Sequence, residues 1–331
     1  MLTKRIKSVC LKSIIKLFNY ISNLIVVLFL LLLLNSCNLV EQFYKIQTKR
    51  LEINGFKSII LQDSHYSIHY FAHQHGKPPI IMLHQFSADG LTQWTNTAIR
   101  LSKNYDIIIP DLFYFGKSYR TDSNCTIYTQ LDLLDKVIND CNINKAVMLL
   151  GSSYGGIVAT LYSINNKENI SKLFIYDSPI MFFDVKKSDS IARIIGANST
   201  LKLLCPSTPD ELKISLKAEF YRPPPIPVFI RKQMIEKMVI PNYYEKSQLL
   251  LNLTEISNNY SLIQKNQLPD TYLLWGNNDL FIPVDVCFAL KNYWNLTDNQ
   301  VYIFRKSAHA ANLEHNRKFT KVIKTMIETT K

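Results

Sequence analysis

Between residues 58 and 328, short apolar runs alternate with stretches whose apolar positions recur at helical spacing. Ser58–Gln62 and Tyr66–Ala72 read as two strands of a hairpin. Pro78 and Pro79 introduce a third strand, Ile80–His84 (IIMLH). Leu91–Ser102 suits a helix and Tyr105–Ile109 a strand. Apolar residues at 127, 131, 134 and 138, with Cys141, then form one helical stripe. The run 145–150 (KAVMLL) predicts a strand, 154–166 a helix and Lys172–Tyr176 (KLFIY) another strand. Further on, Thr271–Trp275, a helix over 284–294, Val301–Phe304 and a last helix to about Glu328 complete the series. Strands alternating with helices predict an α/β fold. Its sheet is mostly parallel and covered by helices on both faces.

One segment breaks the alternation. Ser178–Leu268 carries no convincing strand and holds seven prolines between Pro206 and Pro241, including the run Tyr221–Pro227 (YRPPPIP). It predicts a helical cap, residues 178–268, inserted into a core formed by 58–177 and 269–331. The proline run would be a stiff extended loop within the cap. Inside a globular insertion, that reading outweighs a docking motif for a partner domain.

The N-terminus has a different pattern. Residues 1–36 hold five basic residues and no acidic one, and Leu24–Leu34 is an unbroken run of eleven apolar residues. That is the length of a signal-peptide core and short of the ~20 residues that span a bilayer. Leu34-Asn35-Ser36-Cys37 resembles a bacterial lipoprotein cleavage site, which makes 1–36 a signal peptide and Cys37 the lipidated residue. Its acyl chains would anchor the protein in the cell envelope, facing the periplasm or the exterior. An uncleaved signal anchor over Ile14–Leu34 and plain secretion are the alternatives. Residues 37–57 then read as a polar tether.

Charge adds little. The net +12 falls to +7 without the leader, and no Arg-rich face with interleaved aromatics points to nucleic acid. Cys125, Cys141, Cys205 and Cys287 are scattered without a C-x-x-C pair, which argues against zinc or redox chemistry. Cys125 and Cys141 flank a helix and could pair in an oxidising compartment; buried free thiols are the equal alternative. No cofactor or metal is expected. His65, His69 and His73 are spaced by four, but along strands, where that spacing is ~13 Å.

The candidate chemistry centres on Gly151-Ser-Ser153-Tyr-Gly155. A serine between a strand and a helix sits on a tight turn that exposes its Oγ. Its poor nucleophilicity calls for a base, a carboxylate that orients the base, and donors for an oxyanion. His309, between a strand and the last helix, is the candidate base. Asp279, at the carboxyl end of a predicted strand, is the candidate acid, with Asp177 one strand earlier as its competitor. Backbone N–H groups of Phe86 and Tyr154 are the candidate oxyanion donors.

These residues and their order, Ser153…Asp279…His309, resemble the α/β-hydrolase superfamily in its cap-bearing branch, over about residues 58–328. Pro110-Asp-Leu-Phe-Tyr-Phe-Gly116-Lys-Ser118 is similar to that family's P-D-x-x-G-x-G-x-S loop. Trp94, Glu314 and Phe319 stand at family positions. Three departures are visible. Gln85 follows His84 where the family has glycine, Tyr114 replaces the first glycine of the P-D loop, and Ala308 replaces a glycine before the histidine. The resemblance implies a serine hydrolase acting on a carboxylic ester, a lipid ester included. A C–C bond hydrolase, an aminopeptidase and a non-catalytic binding protein on the same scaffold are the alternatives. His84 reads as a structural turn residue.

Overall fold

The computed structural model describes residues 20–21, 38–122, 124–180, 184–259 and 263–328. The leader run Leu24–Leu34 and Cys37 lie outside them. Among the described residues no helix is long and apolar enough to cross a membrane.

One sheet organises the chain. Its strands are β1 (Lys57–Gln62), β2 (Tyr66–His73), β3 (Pro79–Leu83), β4 (Asp106–Pro110), β5 (Tyr119–Arg120), β6 (Val147–Ser152), β7 (Ile170–Tyr176), β8 (Asp270–Gly276) and β9 (Val301–Phe304). The order across the sheet is β1-β2-β4-β3-β6-β7-β8-β9, with β5 paired to β2. β1 and β2 are antiparallel, and β4, β3, β6, β7, β8 and β9 run parallel. β3, β4 and β6 are buried along their whole length, as continuous apolar strands must be when helices cover both faces.

The covering helices divide the apolar residues into two cores. On one face α3 (Ile127–Asp140), α4 (Tyr154–Asn165) and α10 (Val284–Tyr293) pack Leu134, Val158 and Leu290 against the strands. On the other, α2 (Gly90–Leu101) and α12 (Asn316–Glu328) bury Trp94, Ala98, Phe319 and Ile323. Asp89 starts α2 with a reciprocal capping box to Thr92, so both end groups are satisfied. A four-residue turn, α11 (Ala311–Glu314), precedes α12.

Between β7 and β8 lie α5 (Val185–Ile195), α6 (Thr200–Leu204), α7 (Pro209–Glu219), α8 (Val228–Met234) and α9 (Tyr243–Asn259). A π turn over Ile235–Val239 prolongs α8. Its lost carbonyl partners are met by the buried Lys246 ammonium, which donates to Met238 O at 2.7 Å and Pro241 O at 2.8 Å. Burial brings this lysine down to about 8. The segment is tied to the loops beyond the parallel strands: Ala310 N donates to Glu219 O at 3.1 Å and Asn252 Nδ2 to Cys125 O at 2.7 Å. The proline run over 221–227 is irregular and mostly exposed, and ends where Pro227 leads into α8.

The tether expected before β1 is instead a helix, α1 (Leu39–Ile53). Asn38 Oδ1 caps it by accepting from Glu41 N at 2.9 Å, and Leu51 is fully buried against the sheet core. α1 bridges two parts of the molecule. Gln233 Oε1 accepts from Leu39 N at 2.9 Å and Lys237 pairs with Glu41 at 2.9 Å, while Tyr44 donates to Asp89 and Arg50 to Asn96. Cys125, Cys141, Cys205 and Cys287 are all buried free thiols, so Cys125 and Cys141 do not pair.

Candidate active site

Ser153 sits where β6 turns into α4, with φ +49° and ψ −115°. A non-glycine residue holds that conformation only where its surroundings force it. Here the forcing is steric. A Cβ on Gly151 would meet Gly155 O at 2.3 Å, and one on Gly155 would meet Leu83 O and His84 O at 2.6 Å. Strand and helix therefore cross at backbone contact, and the turn between them has no slack. Ser153 N donates to Tyr176 O at 2.8 Å, and Ser178 Oγ donates to Ser153 O at 2.6 Å.

His309 follows β9. Its Nδ1 lies 2.7 Å from Asp279 Oδ2, and both side chains are buried. Asp279 Oδ1 accepts from Phe281 N at 2.8 Å and Ile282 N at 3.0 Å, so the carboxylate is held at both oxygens. Burial alone would lower the histidine. The Asp279 charge and hydrogen bond, helped by Glu219, outweigh it and leave the imidazole above its ordinary value. Glu314 fixes the loop by accepting from Ser307 Oγ and Ala308 N.

Asp177 lies beside this pair at the end of β7. One donor atom each of Asp177, Asp279 and His309 falls within 4.8 Å of the others. Asp177 Oδ1 accepts from Gly276 N at 2.8 Å, and Oδ2 is buried with no partner among the described residues. Burial first, and the Asp279 charge second, push its carboxyl well above the usual range. The group could offer a cation two carboxylates and an imidazole. The Asp279 oxygens, however, are already engaged by His309 and two backbone N–H groups.

Phe86 and Tyr154 face the same cavity as Ser153. Among the described residues, no acceptor is bonded to the backbone N–H of either. That cavity measures about 460 Å³ and is walled by Ile157, Ile191, Leu203, Leu250 and Phe281, with Lys187 and Asp285 among its few charged residues.

The three sequence departures have distinct consequences. Tyr114 takes φ +73°, the left-handed conformation in which a glycine is expected. Ala308 is buried, with its N–H on Glu314. Gln85 turns its amide to Glu219 at 2.5 Å, while its own N–H goes to Gln93 Oε1 at 2.7 Å. His84 is a turn residue: Nδ1 lies 2.7 Å from Gln85 O and Nε2 accepts from Leu112 N at 2.9 Å. Of the three spaced histidines, His69 bonds Asp111 at 2.7 Å, His73 is buried, and His65 is exposed in the turn before β2.

Sequence reasoning missed Glu219, the last residue of α7. It is half-buried beside His309 although 134 residues separate it from Gln85. Burial raises its carboxyl. Its only linear signal was an acid at a helix end facing a proline run, which does not specify a site.

Comparison with known proteins agrees with this fold. The family model described as alpha/beta hydrolase fold matches residues 78–316. Monoacylglycerol lipase ABHD6 of Homo sapiens is 26% identical over 257 residues, covering 75% of this chain and 74% of that protein. The 2-hydroxy-6-oxononadienedioate/2-hydroxy-6-oxononatrienedioate hydrolase 1 of Pseudomonas putida is 24% identical over 305 residues, covering 82% and 95%. The crystal structure of a bacterial membrane phospholipase A superposes with a TM-score of 0.72 at 19% identity, covering 88% of this chain and 93% of that one. The last is a likeness of fold.

Proposed function

The chain belongs to the α/β-hydrolase fold family, and from that membership we propose that it is a serine hydrolase of the cell envelope that cleaves carboxylic esters, lipid esters in particular. The observation that carries this reading is Ser153, strained at φ +49° on the wall of an apolar cavity that Phe86 and Tyr154 share.

In this mechanism Ser153 Oγ bonds to the ester carbonyl carbon and its proton passes to His309 Nε2. Nδ1 is occupied by Asp279, which fixes the tautomer and supports the imidazolium. The N–H groups of Phe86 and Tyr154 hold the oxyanion. The C–O bond to the alcohol breaks and the alcohol takes the proton from His309. Water, deprotonated by the same histidine, releases the carboxylic acid and restores Ser153. The reaction class takes one ester and one water to one acid and one alcohol, so no cofactor enters the balance.

The C–C hydrolase alternative has a relative in its favour. The cavity favours the ester. A substrate named as a dioate carries two carboxylates to neutralise, and the cation among the described lining residues is Lys187, which is exposed. An apolar acyl chain suits the aliphatic walls. Membrane attachment through Cys37 would bring this cavity to lipid substrates. That part of the proposal rests on the sequence of the leader.

The test is covalent labelling by a fluorophosphonate, comparing wild type with Ser153→Ala, alongside esters of increasing acyl length and a vinylogous dienoate. Labelling that disappears in the variant, with turnover of long-chain esters, supports the proposal. Folded protein that neither labels nor turns over an ester overturns it. Globomycin-sensitive cleavage before Cys37, with the mass of a diacylglyceryl group retained on the mature N-terminus, tests the anchor separately.

A further inference from the structure

A second apolar cavity, of about 400 Å³, lies under α1. Val40 and Phe43 form one side, Leu216, Ile230 and Met234 the other, and Gln85 and Glu219 stand at its inner end. Both its volume and its lining are those of a ligand site, within the range of about 300–1,000 Å³ that such sites occupy. It is not an isolated void. Leu204 lines this cavity and the Ser153 cavity alike. Its inner end also reaches the catalytic loop, because Glu219 O accepts from Ala310 N, the residue after His309.

We propose that this cavity holds the second apolar chain of a two-chain lipid ester, while the chain being released occupies the Ser153 cavity. The inference rests on the ester-hydrolase reading above. Three observations carry it. The leaving alcohol must depart on the side of the histidine that protonates it, and the second cavity adjoins the His309 loop through Glu219, whose carbonyl accepts from Ala310 N. The cavity is mostly apolar, and Gln85, Ser87 and Glu219 are among its few polar lining residues, able to meet the oxygens of a glycerol backbone. Its wall includes the first turn of α1, at Leu39 and Val40, which follow the proposed anchor residue Cys37 closely in the chain. Lipidation at Cys37 would keep this wall close to the membrane that holds the lipid. A diacylglycerol and a diacyl phospholipid share the required chemistry.

This reading also gives Gln85 a reason. A glycine there would leave the half-buried Glu219 without the amide that now bonds it. The Gln85–Glu219 pair gives the second cavity a polar patch, with Gln85 next in sequence to Phe86 of the Ser153 cavity, suited to hydroxyl and ester oxygens of the lipid backbone.

The experiment narrows the cavity. Met234→Trp and Ile230→Trp, both at half-buried positions, are compared with wild type on dioleoylglycerol, dioleoylphosphatidylcholine and monooleoylglycerol in the same mixed micelles. The expected result is a fall of at least ~10-fold in the two-chain to one-chain ratio of kcat/KM, the size of a steric clash in an apolar pocket. Ile191→Trp, in the Ser153 cavity, should lower all three together. An unchanged ratio in both narrowing variants overturns the proposal, as does a wild-type preference for the one-chain ester that neither variant alters. Which two-chain substrate responds identifies the headgroup. Fluorophosphonate labelling of each variant reports a folded, competent serine. If wild type does not label, the ester-hydrolase reading fails; if it labels and the ratio does not move, only the two-chain inference fails.

Discussion

Gly276 closes β8 just before Asp279, and replacing it by alanine tests whether the acid and base are positioned by backbone contact. A Cβ there would lie 2.0 Å from Ala308 O, 2.8 Å from Ala308 C and 2.9 Å from Ser307 O. None of these atoms is the end of a flexible side chain. Contacts under 3.0 Å do not persist, so the strand end and the loop that carries His309 must part by about 1 Å. Two bonds resist: Asn278 N to Ser307 O at 2.8 Å and Gly276 N to Asp177 Oδ1 at 2.8 Å. Overpacking of this kind costs about 1–3 kcal/mol of stability. A misplacement of ~1 Å in a catalytic constellation costs about 10²-fold in rate. Gly276→Ala should therefore remain folded by circular dichroism and lose roughly two orders of magnitude in both fluorophosphonate labelling rate and ester kcat. Labelling within about two-fold of wild type in the folded variant would refute the argument that backbone contact sets this geometry.

Other consequences follow from single groups. His309 must be neutral to accept a proton, so activity is lost as pH falls through its raised value; Glu219→Gln removes one of the charges that raise it and should move the acid limb of kcat/KM to lower pH. An acid limb that stays in place would detach Glu219 from the base. Asp177 is held protonated in the fold, whereas the unfolded chain releases this proton above about pH 4. Wild-type stability should then decline from pH 4 upward on account of this group, and Asp177→Asn should flatten that decline in urea titrations; equal slopes would contradict it. Gly196 has φ +105° and open space around it, so Gly196→Ala should cost about 1–2 kcal/mol of stability by backbone strain and leave labelling unchanged. Burial pushes the Cys141 thiol to about 11 and Cys205 to about 12, and raises Cys125 and Cys287. None of these four should react with a thiol-disulfide reagent at pH 8 until the protein unfolds, and peptide mapping of a fast-reacting one would show the site to be open.

The strands were legible because burial on both faces demands long apolar runs. IIMLH, KAVMLL and TYLLW each appear in the sheet within two residues of the expected bounds. The position of Ser153 was legible for a related reason: glycines at 151 and 155 are a local steric requirement, written into adjacent residues. α1 was not legible as a helix because little of it faces a core. Val40 and Leu51 are buried, while Phe43, Ile46 and Ile53 are exposed. A signal was present in Asn38 with Glu41 three residues on, the pairing of a helix start. β5 is two residues long and has no pattern of its own. Glu219 is the opposite case. Its position depends on how α7 returns over the sheet, which no local spacing encodes.

The choice between the two acids turns on what each oxygen touches, which composition and order could not supply. Asp177 and Asp279 end neighbouring strands, and both are buried near one imidazole. Two carboxylates in so small a space do not both ionise readily. The group with more donors is the better placed to orient the imidazole. Asp279 has three: the imidazole and the N–H groups of Phe281 and Ile282. Among the described residues Asp177 has one, Gly276 N, and an oxygen without a partner. Asp279 is therefore the acid whose oxygen faces Nδ1, while burial and the Asp279 charge raise the Asp177 carboxyl. Asp279→Asn should then slow labelling by about 10⁴-fold through loss of the tautomer. Asp177→Asn should preserve it, because an amide oxygen can still accept from Gly276. The reverse ranking would move the acid to β7 and require the histidine to turn toward Asp177.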